Sequence, residues 1–434
     1  MKMVEKMLSS FSCSAFLDEQ GVMRKAHIRY KDDHWVEFHI KEPLSASPDD
    51  GYLAAMLPVE FHCHGMGSSD FSDFESLDLR EVNKEAKEEG ILCLLCMFLP
   101  HHKLESFIDF MHRYARLTRS GELSHLTGVA LEGPLLASFG GTPERGMWVP
   151  TRGEWKKLCA CGQPGLRYIV LSPDAMLEKS NLSKQFHNDL SIDWIISTLL
   201  EANIRSALGH FQKNNPTESA KCIETLLEIT YKRTSSSFLI RVITDHLFND
   251  MPLKFKHAWR TPKELERRPQ EIGLLHLEQW NMENLDTFVG EVPATLMRAA
   301  HDGLVALCLN FDGAHVDAAV CQKVVELIDS KYIIAMTDRL ETNRLGDQKL
   351  VKNEEINLWY QERGIVAAGC STIDHQIRNL RALKVPETSI WNMTSLVPSQ
   401  LLGLSSQYDE HGFLSRCCYV SPSGERFYIE SDGN

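Results

Sequence analysis

Histidine and carboxylate side chains follow five of the short apolar runs in this 434-residue sequence. The six groups of this pattern are His62, His64, Glu132, His210, His246 and Asp338. Because residues two apart in a strand share a face, His62 and His64 are expected to point to the same side. Imidazoles and carboxylates are the ligands that zinc and iron(II) prefer. The sequence therefore predicts a divalent metal site, provided that the runs end at one place.

Eight apolar runs rich in Val, Ile, Leu and Cys precede or surround these groups. They span residues 55–61, 91–98, 126–131, 167–171, 204–208, 239–243, 304–309 and 332–336. Most are apolar throughout, which is typical of strands buried on both faces of a parallel sheet. Helical patterning lies between them, for example at 78–89, 104–117, 192–202, 216–231 and 316–330. This order predicts an α/β protein with a (β/α)8 barrel, whose site would lie at the carboxyl ends of the strands; a doubly wound open sheet is the alternative.

The two ends of the chain have a different pattern. Residues 11–43 alternate polar and apolar side chains, with turn residues at 18–21 and 31–33. Residues 414–429 repeat this alternation around a Ser-Pro-Ser-Gly turn at 421–424. Alternation of this kind is typical of strands with one face in solvent. We therefore expect both termini to form a small sheet beside the barrel.

Charge and composition disfavour some classes of partner. Forty-six basic and 59 acidic residues give a net charge of −13, which argues against nonspecific binding to nucleic acid or anionic membranes. No apolar run approaches the ~18 residues expected of a membrane helix, so neither a nucleic acid nor a membrane is expected as partner. The twelve cysteines follow no secretion signal and have no zinc-ribbon spacing. They predict free thiols and a cytoplasmic location.

Several local sequences resemble the successive blocks of the N-acetylglucosamine-6-phosphate deacetylase family of the amidohydrolase superfamily. The blocks occur in the order of that family over residues 55–405. The two most specific are Leu131-Glu-Gly-Pro134 and His246-Leu-Phe-Asn249. The others are Leu171-Ser-Pro-Asp174, Gly209-His210, Asp312-Gly-Ala-His315, Thr337-Asp338, Ala368-Gly-Cys-Ser-Thr372 and Thr394-Ser-Leu-Val-Pro398.

The resemblance implies a metal-dependent hydrolase barrel at residues 55–404, with a small β-sandwich built from residues 1–54 and 405–434. It implies that Glu132, His210 and His246 bind the principal ion, zinc or iron. Some members carry a second ion on the His-x-His pair, which would recruit His62 and His64 here. Asp338 would be the catalytic acid and base. Substrate contacts are implied or expected at Asn249, Asp250, His257, Arg260, Gly313, Ala314, His315, Ala368 and Gly369. A neighbouring subunit completes the phosphate site in the family, which implies a homodimer.

Three departures from the family pattern concern the substrate. Segment 139–145 has no histidine where the family carries one that polarises the scissile carbonyl. Arg260 is displaced from the position of the family's phosphate-binding arginine, and His257 stands at the expected spacing. Asp250 stands where the family has alanine, which adds negative charge close to the phosphate position.

These observations lead to three hypotheses. The leading one is a hydrolase that converts N-acetylglucosamine 6-phosphate to glucosamine 6-phosphate and acetate. The second keeps the chemistry but changes the substrate to another N-acyl amino sugar or an N-acyl amino acid; the missing histidine and displaced arginine favour it. The third is a barrel without catalysis that serves as a binding or structural partner, and the presence of all six candidate groups argues against it.

Overall fold

The aliphatic runs form eight parallel strands in the computed structural model of the chain. The first to eighth barrel strands are Val59–Cys63, Leu92–Met97, Leu126–Glu132, Leu166–Leu171, Arg205–Leu208, Val242–His246, Val305–Leu309 and Ile333–Ala335. Each pairs in parallel with the next. The structure describes residues 10–18, 20–31, 34–44, 52–186, 189–234, 240–256, 262–404 and 416–428. The prediction of a (β/α)8 barrel is confirmed.

The barrel closes between its first strand and the segment that follows its eighth. The Asp338 amide donates to the His62 carbonyl at 3.0 Å, and the His64 amide donates to the Arg339 carbonyl at 2.8 Å. A parallel bridge also pairs Cys63 with Arg339. The edge strands of an open sheet have no such contacts, so the doubly wound alternative is wrong.

Helices alternate with the strands and cover the outside of the barrel. The longer ones are Leu79–Glu89, Leu104–Arg119, Arg152–Ala160, Ile192–Glu201, Pro216–Arg233, Pro262–Gly273, Glu291–His301, Ala318–Leu327 and Ile373–Ala382; the shorter ones are Leu285–Phe288, Glu387–Trp391 and Val397–Leu401. Local side chains fix their starts: Asp78 accepts hydrogen bonds from two amides of the first turn, and Thr151 forms a capping box with Glu154. In the described part of the chain, no helix is long and apolar enough to cross a membrane.

Both chain ends contribute to one six-stranded sheet. Its strands lie in the order Arg426–Tyr428, Cys417–Val420, Tyr52–Met56, Ser10–Leu17, Met23–Lys31 and His34–Pro43. The prediction of a small β unit built from both termini is confirmed. The predicted strand 55–61, however, divides into two. Its first residues belong to the terminal sheet and the rest to the barrel, because Pro58 between them has no amide hydrogen to donate to a ladder.

Short strands that the sequence did not predict follow the first and eighth barrel strands. They are the pairs Gly65–Met66 with Ser69–Asp70 and Arg344–Leu345 with Gln348–Lys349, and a sheet of Val351–Asn353, Leu358–Tyr360 and Val366–Gly369. Strands of two to four residues are too short to show a hydrophobic period. The sheet joins the barrel where the Gly369 amide donates to the Asp338 carbonyl at 2.6 Å.

Asp174 joins the loop after the fourth strand to the loop after the fifth. Its Oδ2 accepts hydrogen bonds from the Gln212 amide at 3.0 Å and from the Ser219 hydroxyl at 2.5 Å. Burial raises the pKa of Asp174 from 3.8 to about 6. A raised pKa means that the native state favours the neutral carboxyl. The stabilising contribution is therefore present below the unfolded-state pKa and is lost as the pH rises through the folded-state value.

We expect Asp174→Asn to remove this dependence on pH. At ~1.4 kcal/mol per pKa unit, the free energy of unfolding of the wild type should fall by about 2 kcal/mol relative to the variant between about pH 4 and pH 7. Denaturant titrations of both proteins at the two pH values measure the difference. A difference that is the same at both values would contradict the prediction.

Candidate metal centre

The side chains predicted to bind metal meet at the carboxyl end of the barrel. Glu132, the last residue of the third strand, lies between two pairs of histidines. Its Oε2 is 3.1 Å from the Nε2 atoms of His62 and His64. Its Oε1 is 2.7 Å from His210 Nε2 and 3.6 Å from His246 Nε2. All five side chains are buried, so one carboxylate links both histidine pairs in a place with little water.

Asp338 lies beside the first histidine pair. Its Oδ1 is 3.2 Å from His64 Nε2, and its Oδ2 is 3.3 Å from His315 Nε2. On its other side, the His315 ring bonds through Nδ1 to Asp312 Oδ2 at 2.6 Å. Burial alone would raise the pKa of Asp338, but the neighbouring imidazoles of His315 and His64 hold it well below its usual range. The Asp338 carboxylate is therefore ionised at neutral pH and held in place from both sides.

A β-bulge brings two consecutive residues of the sixth strand to the centre. The register against the seventh strand shifts between Ile243 and His246. Adjacent residues of a regular strand point to opposite faces, but an extra residue in the ladder locally breaks this alternation. Asp245 and His246 consequently both reach the same group of side chains, with Asp245 Oδ2 3.1 Å from His246 Nε2.

Three side chains near the centre are carried by left-handed backbone. The φ angles are 53° at His210, 41° at Asp250 and 51° at Asp338. For residues with a side chain, such conformations cost about 1–3 kcal/mol and cluster at functional sites. The surrounding packing must therefore stabilise these three positions, each of which directs a polar side chain into the barrel opening.

Hydrogen bonds fix how the His62 ring is oriented. Its Nδ1 is 3.0 Å from the Tyr168 hydroxyl, and this hydroxyl donates to the Phe61 carbonyl at 3.2 Å. Since the Tyr168 hydroxyl donates its one hydrogen to the Phe61 carbonyl, it accepts a hydrogen bond from His62 Nδ1. The Nε2 lone pair of His62 then faces the centre, which is the arrangement that metal-binding histidines adopt.

His64 and His210 are oriented in the same way. His64 Nδ1 faces the Cys96 carbonyl at 3.3 Å, and His210 Nδ1 faces Asp250 Oδ2 at 3.0 Å. Both partners are acceptors, so each ring donates outward and directs Nε2 inward. The Nε2 atoms of His62 and His64 are only 3.2 Å apart. A cation between these nitrogens and the Glu132 carboxylate would satisfy all of them.

The titration of three of the imidazoles, those of His64, His210 and His246, also fits a cation site. Burial alone would lower their pKa values, but the neighbouring carboxylates hold those of His64 and His210 well above the usual range and raise that of His246 to about 9. The four neighbouring imidazoles likewise outweigh the effect of burial and hold the pKa of Glu132 well below its usual value. A divalent ion can take the place of the bound protons. The residues present therefore fit such an ion.

Two groups of donor atoms have the spacing that a metal ion requires, each with all its atoms within 4.8 Å of one another. One is His62, His64, Cys96 and Glu132; the other is Glu132, His210, Asp245 and His246. The sequence analysis missed Cys96 and Asp245. Cys96 lies inside an apolar strand and looked like a core residue. Asp245 would point away from the centre in a strand without the bulge.

A cavity of about 70 Å³ opens over the centre. Of the residues predicted to contact substrate, Asn249, Asp250 and His315 line it. Gly313, Ala314, Ala368 and Gly369 are not among its described lining residues. His257 and Arg260 lie outside the described residues.

Three of the predicted residues that do not line the cavity, Gly369, Ala314 and Gly313, contact the ring or the loop of His315. A Cβ on Gly369 would lie 2.9 Å from His315 Cε1, so Gly369 allows the strand to pass directly behind that ring. The Ala314 amide donates to Asp312 Oδ1 at 2.8 Å, and the Gly313 carbonyl accepts from Arg268 at 2.6 Å. These contacts shape the loop that carries His315.

An ion pair between Lys213 and Asp250 lies at one side of the cavity. Lys213 Nζ is 2.8 Å from Asp250 Oδ1, which also accepts from the Ser138 hydroxyl at 3.1 Å. Burial alone would raise the pKa of Asp250, but His210 and Lys213 hold it well below its usual range. Among the described lining residues, Lys213 is the only lysine or arginine. No motif marked it in the sequence.

Comparison with known proteins gives a fold. No protein-family model matches the chain, and no curated protein matches it either. Solved structures do match. A mutant N-acetyl-D-glucosamine-6-phosphate deacetylase from Mycobacterium smegmatis, in complex with N-acetyl-D-glucosamine-6-phosphate, has a TM-score of 0.63 at 15% identity, with 95% of this chain and 94% of that chain covered.

Two further deacetylases of the same name are similar. The protein from Thermotoga maritima has a TM-score of 0.62 at 15% identity, with 91% of this chain and 90% of that chain covered. The protein from Pasteurella multocida has a TM-score of 0.65 at 11% identity, with 97% and 99% covered. Over nearly its whole length, the chain therefore has the fold of these deacetylase structures, a TIM barrel with a small additional β unit.

Proposed function

We propose that this chain is a metal-dependent amide hydrolase that removes the acetyl group from N-acetylglucosamine 6-phosphate and releases glucosamine 6-phosphate and acetate. The observation that carries the proposal is the position of Glu132, whose two oxygens each face a histidine pair below an open cavity. Asp338 reaches the same cavity. The fold shared with the deacetylase structures supports this choice of reaction.

The donor set suits zinc or iron(II), with one or two ions per subunit. Glu132, His210 and His246 would hold the principal ion; His62 and His64 would hold a second against the other oxygen of Glu132. Such an ion lowers the pKa of water towards ~7 and polarises an amide carbonyl. Both effects are needed, because an acetamide reacts only slowly with water at neutral pH.

Asp338 would move the proton. Its ionised carboxylate can accept a proton from the attacking water at Oδ1 and deliver it to the departing sugar nitrogen. His315 would act by positioning, since it is fixed by Asp312 and holds Oδ2 of Asp338 at 3.3 Å. The buried position of all three groups excludes bulk water from this proton transfer.

Asn249 and Lys213 would bind the substrate. Asn249 is a buried lining residue, and its Nδ2 has no hydrogen-bond partner within the described residues. It can therefore donate to an oxygen of the sugar phosphate. Lys213 brings a positive charge to the same cavity, which an anionic substrate requires in a protein with a net charge of −13.

We further propose a homodimer in the cytoplasm. The homodimer rests on the resemblance in sequence to a family whose phosphate site is completed by a neighbouring subunit. The cytoplasm is supported by the twelve cysteines, all within the described residues and all free thiols, since oxidising compartments favour disulfides.

Acetate release from the metal-loaded protein tests the proposal. Zinc- and iron-loaded samples are assayed with N-acetylglucosamine 6-phosphate, N-acetylglucosamine and N-acetyl amino acids. We expect the 6-phosphate to have a ~10-fold higher kcat/KM than the unphosphorylated sugar, since one hydrogen bond to a charged group contributes about 1.5–3 kcal/mol and a tenfold effect corresponds to ~1.4 kcal/mol. Turnover that is indifferent to the phosphate would overturn the choice of substrate.

One observation favours a second candidate, a hydrolase of an unphosphorylated N-acyl amino sugar. Asp250 lies 2.8 Å from Lys213 and already neutralises much of its charge. A phosphate group would have to share Lys213 with this carboxylate. The assay above separates the two candidates directly.

Replacement of Lys213 gives a more specific prediction. If Lys213 binds the phosphate, Lys213→Ala should raise KM for the 6-phosphate by about 10-fold while kcat changes little, because uniform binding is lost. The matched control is Lys221→Ala, since Lys221 is an exposed lysine paired with Glu218 on the helix that follows. Steady-state kinetics of both variants measure the effect. Equal KM values in Lys213→Ala and the wild type would exclude Lys213 from phosphate binding.

A further inference from the structure

Asp245 is a buried carboxylate without an ordinary partner. Its side chain has no exposed surface, and neither oxygen accepts a hydrogen bond from the residues that the structure describes. Three imidazoles nevertheless surround it. Oδ2 lies 3.2 Å from His210 Nε2 and 3.1 Å from His246 Nε2, and Oδ1 lies 3.4 Å from His62 Nδ1. A buried charge in this state is costly unless a cation compensates it.

The backbone provides space for this carboxylate in particular. A Cβ on Gly209, the residue before His210, would lie 2.5 Å from Asp245 Cβ and 2.8 Å from Oδ2. Only a residue without a side chain allows the fifth strand to approach Asp245 this closely. The bulge before His246 turns Asp245 inward from the other side. The glycine and the bulge therefore place Asp245 Oδ2 beside the Nε2 atoms of His210 and His246, the second histidine pair.

The distances around this pair suit a tetrahedral ion. With bonds of ~2.0–2.1 Å, the donor atoms of tetrahedral zinc are roughly 3.3–3.4 Å apart. Here Glu132 Oε1 is 2.7 Å from His210 Nε2 and 3.6 Å from His246 Nε2. Asp245 Oδ2 is 3.2 and 3.1 Å from the same two nitrogens. These four separations, from 2.7 to 3.6 Å, lie on both sides of the spacing expected within one coordination shell.

We propose that Asp245 Oδ2 is the fourth protein ligand of the ion held by Glu132, His210 and His246. The proposal rests on the metal-binding part of the proposed function and not on the choice of substrate. Charge balance supports it. Glu132 is shared between two histidine pairs, so its single charge cannot compensate two divalent ions, and Asp245 supplies a further negative charge at zero exposure.

A ligand role has a consequence for ion exchange. Four protein ligands should hold the ion more tightly than three, and zinc can expand to five-coordination in the transition state, so such an ion would still have room for the reacting water. The ion beside Asp245 should therefore resist a chelator better in the wild type than in Asp245→Ala, which competition with a chelator measures.

The decisive experiment is diffraction from crystals of zinc-loaded wild-type protein, with the ions placed by anomalous scattering. We expect an ion within ~2.0–2.2 Å of Asp245 Oδ2, Glu132 Oε1 and the two histidine nitrogens. Absence of an ion there, or an ion with Asp245 more than about 3 Å away, beyond any zinc–oxygen bond, would overturn the proposal. If Asp245 binds the ion but no amino sugar releases acetate, the proposed substrate fails and this ligand remains.

Metal-binding measurements on variants provide an independent readout. Asp245→Ala should weaken binding of the ion between Glu132, His210 and His246 by more than ~100-fold. This exceeds the 10–100-fold expected for a residue that only orients a ligand. Asp245→Asn keeps the shape of the side chain and one of its oxygens. Its affinity for the ion should therefore lie between that of the wild type and that of Asp245→Ala. Asp174→Asn, which also neutralises a buried aspartate but outside both donor groups, should bind both ions as the wild type does. Wild-type affinity in Asp245→Ala would exclude a ligand role.

Discussion

Glu132→Ala is expected to lose its bound metal, whether one ion or two, and nearly all activity. Each oxygen of Glu132 faces one histidine pair, 3.1 Å from His62 Nε2 and 2.7 Å from His210 Nε2. Removal of the carboxylate therefore takes a ligand from both places at once and leaves buried imidazoles without the charge that compensates a cation. A catalytic ion lowers the activation barrier by several kcal/mol. Its loss should therefore reduce kcat/KM for the amide by at least ~10³-fold. Elemental analysis and acetate release measure the two effects.

A matched pair of variants separates ligand loss from loss of a buried acid. Glu132→Gln retains one acceptor oxygen, which cannot face both histidine pairs, so it should lose at least one ion. Glu60→Gln makes the same change at another fully buried glutamate of the barrel, which is bonded to Thr337 at 2.8 Å. Burial raises the pKa of Glu60 to about 8, so its carboxyl is mostly neutral at pH 7 and glutamine resembles it. Glu60→Gln should keep its ions.

Two outcomes would contradict this account. Full metal content in Glu132→Ala would show that the carboxylate is not a ligand. Loss of metal in Glu60→Gln to the same extent would show that any change in the buried charge of the barrel disrupts the centre, and the effect of Glu132 would then say nothing specific about ligation.

The barrel could be predicted because its strands are apolar on both faces. The runs at 126–131 and 304–309 nearly coincide with the observed strands Leu126–Glu132 and Val305–Leu309. The sixth strand differs more. The apolar run 239–243 placed it too early, because Val242–His246 ends in Thr-Asp-His and polar residues at the opening of a barrel do not extend a hydrophobic pattern.

From the sequence, only those site residues that stand at the ends of barrel strands could be predicted. His62, Glu132, His210 and His246 follow or end apolar runs, and the carboxyl ends of parallel strands meet, so their convergence was expected. Asp245 was not predicted as a site residue, because its side chain points inward only through a β-bulge that the local sequence pattern does not indicate. Side chains that arrive from loops, such as Lys213, depend on loop conformations that hydrophobic periodicity does not determine.

Asp338→Asn should separate catalysis from metal binding. Asp338 belongs to neither group of donor atoms with metal-like spacing, so the variant is expected to keep its ions. Asparagine cannot accept a proton, and loss of a positioned acid and base reduces kcat by about 10²–10⁴-fold. Metal content by elemental analysis and kcat from acetate release are the two measurements. Unchanged turnover would remove Asp338 from the proton transfer.

Comparison with Asp312→Asn makes the test sharper. Asp312 touches neither histidine pair and acts on Asp338 only through His315, at 2.6 Å from its Nδ1. As a positioning residue it should lower kcat less than Asp338→Asn and should shift the pH profile, because His315 would lose the carboxylate that raises its pKa to about 10. Because Asp338 Oδ1 lies 3.2 Å from His64 Nε2, loss of an ion in Asp338→Asn would instead make Asp338 a ligand. The proton would then have to be moved by another group of the cavity.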